Sequence, residues 1–173
     1  MHEPGHPVTD PGDDRHPAAT DRTETRRATD ADAAAIADVW LASVSATYAW
    51  PSVHNDDDVR AWIREVVVPN METWVAVDAD RQLTGFMALD GDELDQLYLR
   101  PGETGRGLGS RFVQLAKARR PDGLNLYTFQ VNLGARWFYE RHGFVIVDLN
   151  DGTRNEERQP DVHYSWLPAP ARD

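Results

Sequence analysis

Residues 101–112, PGETGRGLGSRF, place glycines at 102, 105, 107 and 109 and run straight into a helical apolar pattern. Glycine is costly to order, so such a cluster points to unusual backbone angles or to close approach by another group. Two phosphate loops can be checked against the spacing. A Walker A loop has Gly102 and Gly107 at the required interval, but Leu108 stands where its lysine must be. In a dinucleotide fingerprint, Gly105 and Gly107 would lead to a third glycine where the chain has Ser110. The segment also follows a run of strands rather than opening a βαβ unit. What remains is a turn with exposed N–H groups at a helix N-terminus, a cradle suited to a pyrophosphate. A Gly-rich turn that binds nothing has the same residues.

The elements that hold this loop follow from periodicity. ETRRA suggests a short strand, and Asp30 is the predicted N-cap of a helix over residues 31–46, with Ile36, Trp40, Leu41 and Val44 at helical spacing. DDDVRAWIREVVV predicts a second helix, with three aspartates at its positive end and Pro69 as its stop. TWVAVDAD, QLTGFMALDG and DELDQLYLR read as an antiparallel meander. The glycine loop then opens a helix to Arg119. LNLYTFQV is a buried strand, NLGARWFYERHG a short helix with Gly143 as its C-terminal cap, and FVIVDL and DVHYSWLP a closing strand pair. The predicted class is α/β, a mixed central sheet with helices on both faces.

Composition sets the limits. The first 23 residues carry four prolines and little apolar bulk, so residues 1–23 read as a disordered tail, 24–168 as one domain and 169–173 as a second tail. A formal charge of -11 argues against nucleic acid as partner. The chain has no cysteine and no apolar run of membrane-spanning length, and it begins without a signal-peptide layout. A cytoplasmic protein acting away from membranes, as monomer or homodimer, is the expectation.

Two segments are similar to the Gcn5-related N-acetyltransferase (GNAT) family: LDQLYLRPGETGRGLGSRFVQLAK and NLGARWFYERHGF. The resemblance spans about residues 24–167. It implies acetyl-CoA as co-substrate and no metal. The family's loop pattern maps onto Thr104, Gly107 and Gly109, with Thr104 replacing the usual Gln or Arg. The resemblance places Thr104, Gly105, Arg106, Gly107, Leu108, Gly109 and Ser110 around the pyrophosphate. The pantetheine arm would lie between the strands LDQLYL and LNLYTF, against Leu97, Tyr98 and Leu99. Asn132 resembles a cofactor-contacting asparagine, and a role as N-cap of the following helix does not exclude that contact.

By the same resemblance Tyr139 is the acid that protonates the leaving thiolate, a residue that otherwise reads as a core tyrosine beside Phe138. Asp95 is the candidate base. Strand alternation puts it, with Glu93, on the face of Leu97 and Leu99, while Gln96 and Tyr98 face the other way. His54 is the alternative base. Tyr48, Trp50, His54, Glu156, Glu157, Asp161 and His163 supply an aromatic and acidic lining for a cationic amine, or else core aromatics beside a solvated acidic loop. Trp50, His54, Glu157 and Asp161 are the candidate acceptor contacts. The implied activity is acetyl transfer from acetyl-CoA to a primary amine of a small molecule or peptide. A silent acyl-CoA-binding module and a protein-acetylating modifier are the alternatives.

Overall fold

A computed structural model describes residues 23–170. The expected N-terminal tail, apart from Thr23, and residues 171–173 of the C-terminal one lie outside the described residues.

The chain opens with β1 (Glu24–Arg27), and a 3₁₀ turn (Asp30–Asp32) leads into α1 (Ala33–Thr47). Asp30 is not the cap. Thr29 takes that place, its N–H and hydroxyl donating to the Asp32 carboxylate at 2.7 and 3.1 Å. The Arg26 guanidinium, arriving from β1, forks onto the same carboxylate at 2.8 and 2.9 Å and holds its pKa down at about 2.

The second helix, α2 (Asp56–Trp62), is capped by Asn55, whose side chain accepts from the Asp58 N–H at 2.9 Å. Pro69 does not stop it. A π-helical turn (Ile63–Val67) carries the chain into a last turn, α3 (Val68–Asn70), that contains the proline. Proline has no N–H for the carbonyl four residues back, that of Glu65. Asn70 Nδ2 donates to that carbonyl at 3.2 Å instead.

Seven strands then form one sheet. After β1 come β2 (Glu72–Val77), β3 (Leu83–Asp90) and β4 (Glu93–Leu99), each antiparallel to the strand before it. The helix α4 (Leu108–Arg119) crosses over to β5 (Leu124–Phe129), parallel to β4. Next are α5 (Leu133–Arg141), β6 (Val145–Asn150) and β7 (Asp161–Trp166), with β7 inserted between β5 and β6. β3 runs through the middle of the first half of this sheet, which is why LTGFMALD is buried on both faces up to Asp90. Gly85 lets β4 approach, since a Cβ there would meet Leu99 Cδ2 at 2.6 Å.

The helices divide between the two faces. Ile36, Val39, Val59 and Ile63 from α1 and the α2 region pack on Val75 and Phe86. On the opposite face, Phe112, Val113, Ala116 and Tyr139 from α4 and α5 pack on Met87, Leu89, Leu126 and Tyr164. Each such fully buried side chain contributes roughly 1.5–3 kcal/mol, so both layers are needed to hold the sheet. Among the described residues, no helix is long and apolar enough to cross a membrane.

Candidate active site

The sheet parts between its two parallel strands. β4 and β5 share one register pair, Glu93 with Asn125, and beyond it no residue of β4 has a ladder partner on β5. The backbone of Leu97 to Leu99 therefore borders an opening on that side, while their other side is paired to β3. A cavity of about 600 Å³ occupies the opening, walled by β4 from Leu94 to Tyr98, by Thr128 and Phe129 of β5, by α1 and α2, and by α5.

Strand alternation fails at Asp95. Leu89 pairs with Leu94 but Ala88 pairs with Gln96, so Asp95 is an extra residue, a β-bulge. The bulge resets the parity. Leu94 and Leu97, three apart, both pack into the layer under α4 and α5. Asp95 lies beside Gln96 instead, its carboxylate accepting from Gln96 Nε2 at 2.8 Å, so it does not share the face of Leu97 and Leu99. Glu93, one residue before Leu94, is likewise off that face. Desolvation and the charges of Asp95, Asp90 and Asp92 raise the Glu93 pKa.

The glycine loop sits at the N-terminus of α4, outside the cavity wall. Gly102, Gly105 and Gly107 have φ of 93°, 78° and 84°, and a Cβ on any of them would touch nothing within 4 Å. These glycines serve the turn, and the space above them is open. Gly109 differs, because a Cβ there would meet Phe138 at 3.1 Å, so it serves the packing of α4 on α5. The first intrahelical bond of α4 is Arg111 N–H to Gly107 carbonyl at 3.1 Å. The N–H groups of Leu108, Gly109 and Ser110 precede it and, as in any helix, have no partner within the helix. Thr104 and Arg106 belong to the same turn, where Arg106 reaches Glu103 at 3.2 Å. A positive helix end, open space over three glycines and a parted strand pair leading away from it fit a pyrophosphate with an extended arm.

Tyr139, 9% exposed on α5, lines the cavity. No described side chain has a buried polar atom without a partner, and its hydroxyl makes no hydrogen bond to a described residue, so it opens onto the cavity. Burial, and next the neighbouring Tyr48, push its pKa well above the ordinary phenol value. Tyr98 is raised in the same way, chiefly by burial. Asn132 caps α5, accepting from the Ala135 N–H at 3.0 Å, and its amide donates to the Tyr48 hydroxyl at 3.0 Å.

Around the loops after α1 and before β7, the residues expected to contact an acceptor separate. His54 and Glu156 meet at 2.7 Å across the cavity mouth, joining the loop after α1 to the loop before β7. Glu157 and Asp161 also line the cavity. Asp161 is nearly buried, and its carboxylate accepts from Asn155 Nδ2 at 2.7 Å. Trp50 is not on the wall. It stacks behind Tyr48, centroids 4.7 Å apart, and meets Phe129 edge-on at 5.4 Å. His163 also lies off the wall, stacked on Tyr127 at 4.6 Å. Tyr164 is core, 0% exposed, with its hydroxyl donating to Glu140 at 2.6 Å.

Among the lining residues that sequence reasoning does not single out, Gln96, Trp40 and Asn155 carry polar contacts. Gln96 was placed on the right face, but nothing marked that face as the cavity wall. Trp40 read as core spacing, and Asn155 as part of a polar loop. Asn155 in fact pins that loop, with bonds to Gln159 and Asp161.

Comparison with known proteins agrees with this geometry. The Acetyltransferase (GNAT) domain profile matches residues 69–146, from the end of α3 into β6. Peptidyl-lysine N-acetyltransferase YjaB of Salmonella typhimurium is 32% identical over 116 residues, 65% of this chain and 77% of that protein. The solution structure of apo-form YjaB from Escherichia coli superposes with a TM-score of 0.70 and 26% identity, covering 85% of this chain and 99% of that one. The Salmonella typhimurium acetyltransferase YncA, solved with acetyl-CoA, shares the fold at a TM-score of 0.60 and 19% identity over 87% of this chain and 98% of its own. The domain profile, the relatives' sequences and the superposed fold agree, and the chain belongs to the GNAT family of acetyltransferases.

Proposed function

We infer that this acetyltransferase moves an acetyl group from acetyl-CoA to a primary amine, in one ternary complex, and that its acceptor is a lysine side chain of a peptide or a small cationic amine. The observation that carries this reading is the Tyr139 hydroxyl, desolvated and without a hydrogen-bond partner among the described residues, opening onto the same cavity as Asp95 at the parting of β4 and β5. The acceptor class rests on the curated relative, named a peptidyl-lysine N-acetyltransferase, and on the acids Asp58, Glu156, Glu157 and Asp161 around the cavity.

Bound acetyl-CoA supplies the thioester that the amine attacks. The N–H groups of Gly105 to Ser110 hold its pyrophosphate at the positive end of α4, and the unladdered edge of β4 at Leu97 and Leu99 receives the amides of its arm. The short Thr104 side chain leaves the backbone to do most of this. Asp95 takes a proton from the incoming ammonium, which frees the nitrogen lone pair. As the new C–N bond forms and the C–S bond breaks, the nitrogen sheds its second proton to solvent and Tyr139 gives its phenolic proton to the departing sulfur; Tyr139 then regains a proton from solvent and Asp95 releases the one it took. A raised pKa keeps that hydroxyl protonated at neutral pH, the state a donor needs.

A free-thiol release assay tests this, with acetyl-CoA as donor and a panel of lysine peptides, diamines and neutral amines as acceptors. Thiol release with cationic acceptors, falling as salt rises, supports the reading, since exposed charges are screened beyond roughly 8 Å at physiological ionic strength. Tight acetyl-CoA binding with no release for any acceptor would leave the silent binding module instead. Equal salt response for neutral and dicationic amines removes the acidic lining from the account.

A further inference from the structure

We propose that Gln96 and Trp40 are positioning residues for the base, forming a one-way hydrogen-bond chain that aims the Asp95 carboxylate into the cavity. The proposal rests on Asp95 as the base. It goes beyond it in naming what orients that group.

The direction of the chain is set by donor chemistry. The Trp40 indole has one polar group, an N–H that can only donate. It lies 3.2 Å from Gln96 Oε1, so the amide oxygen must face α1. The amide nitrogen then faces the other way, and it meets Asp95 Oδ2 at 2.8 Å. A flipped amide would set N–H against N–H at one end and oxygen against carboxylate at the other. One orientation survives.

The chain is also held at its far end. Trp40 is fixed on α1 by an edge contact with Trp62 at 6.4 Å and a tilted contact with Tyr98 at 6.0 Å. Gln96 is fixed by its ladder pairing with Ala88. Asp95, the bulged residue, has no backbone partner in the β3 register, unlike Gln96 beside it, so its side chain depends on Gln96 for its aim. With Oδ2 occupied, Oδ1 accepts from no donor among the described residues, and it is the atom available to an ammonium proton. All three residues line the cavity. A helix on one face of the sheet thus orients a carboxylate beside the parted strands, 55 residues further along the chain.

The test is a double-mutant cycle read as kcat against acetyl-CoA affinity. Gln96→Glu keeps the acceptor for Trp40 but offers Asp95 no donor. Trp40→Phe keeps the ring and lets the amide turn. Gln96→Glu should lower kcat about tenfold or more, Trp40→Phe should lower it less, and the two losses should not add. The acetyl-CoA dissociation constant by calorimetry should stay near wild type, which a general loosening of the sheet would not allow. Gln96→Met, similar in length and uncharged, repeats the measurement should the glutamate variant fail to fold. In an Asp95→Asn background Gln96→Glu should change nothing further. If Asp95→Asn is slow but the Gln96 variants match wild type, the chain has no positioning role. If Asp95→Asn itself matches wild type, the base assignment fails and the chain's role falls with it.

Discussion

Asn132 joins α5 to the loop after α1: its Oδ1 caps the helix through the Ala135 N–H, and its Nδ2 donates to the Tyr48 hydroxyl, both at 3.0 Å. One side chain therefore sets the start of the helix that carries Tyr139 and one wall of the cavity. Asn132→Ala should lose the cap and destabilise the fold by about 1 kcal/mol. Asn132→Ser should keep a capping hydroxyl and most of the stability, but its side chain is too short to reach Tyr48 as well. Thermal melts should separate the two variants. Acetyl-transfer assays should show both impaired for the acceptor, with the serine variant impaired although it is stable. A serine variant with wild-type acceptor KM would show that the Tyr48 bond is idle.

Gly107 tests the phosphate cradle. Its left-handed φ of 84° disfavours most side chains, yet asparagine and aspartate both tolerate that region and differ mainly in charge. Gly107→Asn should bind acetyl-CoA within a few-fold of wild type. Gly107→Asp should bind it far more weakly, because the carboxylate occupies the positive helix end. Equal affinities in calorimetry would move the pyrophosphate elsewhere.

Glu72 ties the first half of the sheet to the end of α4. It accepts from Arg119, from Arg120 at 2.8 Å and from the Trp74 indole at 3.1 Å, with Arg27 at 3.7 Å. Burial alone would raise its pKa, but the bonds from Arg120, Arg119 and Trp74 together lower it from 4.5 to about 2. A folded pKa below the unfolded value means the stabilisation is complete above about 4.5 and is lost as pH falls towards 2. Urea midpoints should therefore decline from pH 5 to pH 2 in the wild type, and Glu72→Gln should decline less steeply. Parallel slopes would place the acid sensitivity in other carboxylates, Asp32 first among them.

Much of this molecule is legible in its sequence, and the limits have physical causes. The order of strands and helices follows from periodicity and from glycines and prolines at the turns, because those signals are local. The Gly-rich loop and the Asn132 to Phe144 segment stand out because their residue types serve backbone conformation and capping. The bulge at Asp95 leaves one faint mark, the polar pair Asp95 and Gln96 between Leu94 and Leu97, but two adjacent polar residues near a strand start do not by themselves announce a slip in register. The Trp40–Gln96 bond joins residues 56 apart, and no pattern along the chain announces it. Trp50 looked like a wall of the acceptor site because aromatic residues in a loop suit both a lining and a support. Its stacking on Tyr48 decides for support. Asp30 is the cap expected from spacing, whereas Thr29 caps the turn with the Asp32 carboxylate as its partner. The choice between the cap geometries depends on Arg26 arriving from β1.

The most direct test of the account is Tyr139→Phe, which preserves the contacts with Phe138, Phe144 and Tyr164 and removes one proton. Steady-state turnover should fall by ~10²-fold or more, while acetyl-CoA affinity and melting temperature stay close to wild type. Because the hydroxyl is raised above the ordinary phenol pKa, wild-type turnover should also show no loss from its ionisation as pH climbs towards 10. Turnover of the variant near that of wild type would contradict the account, leaving Tyr139 a core aromatic and the thiolate to find its proton elsewhere.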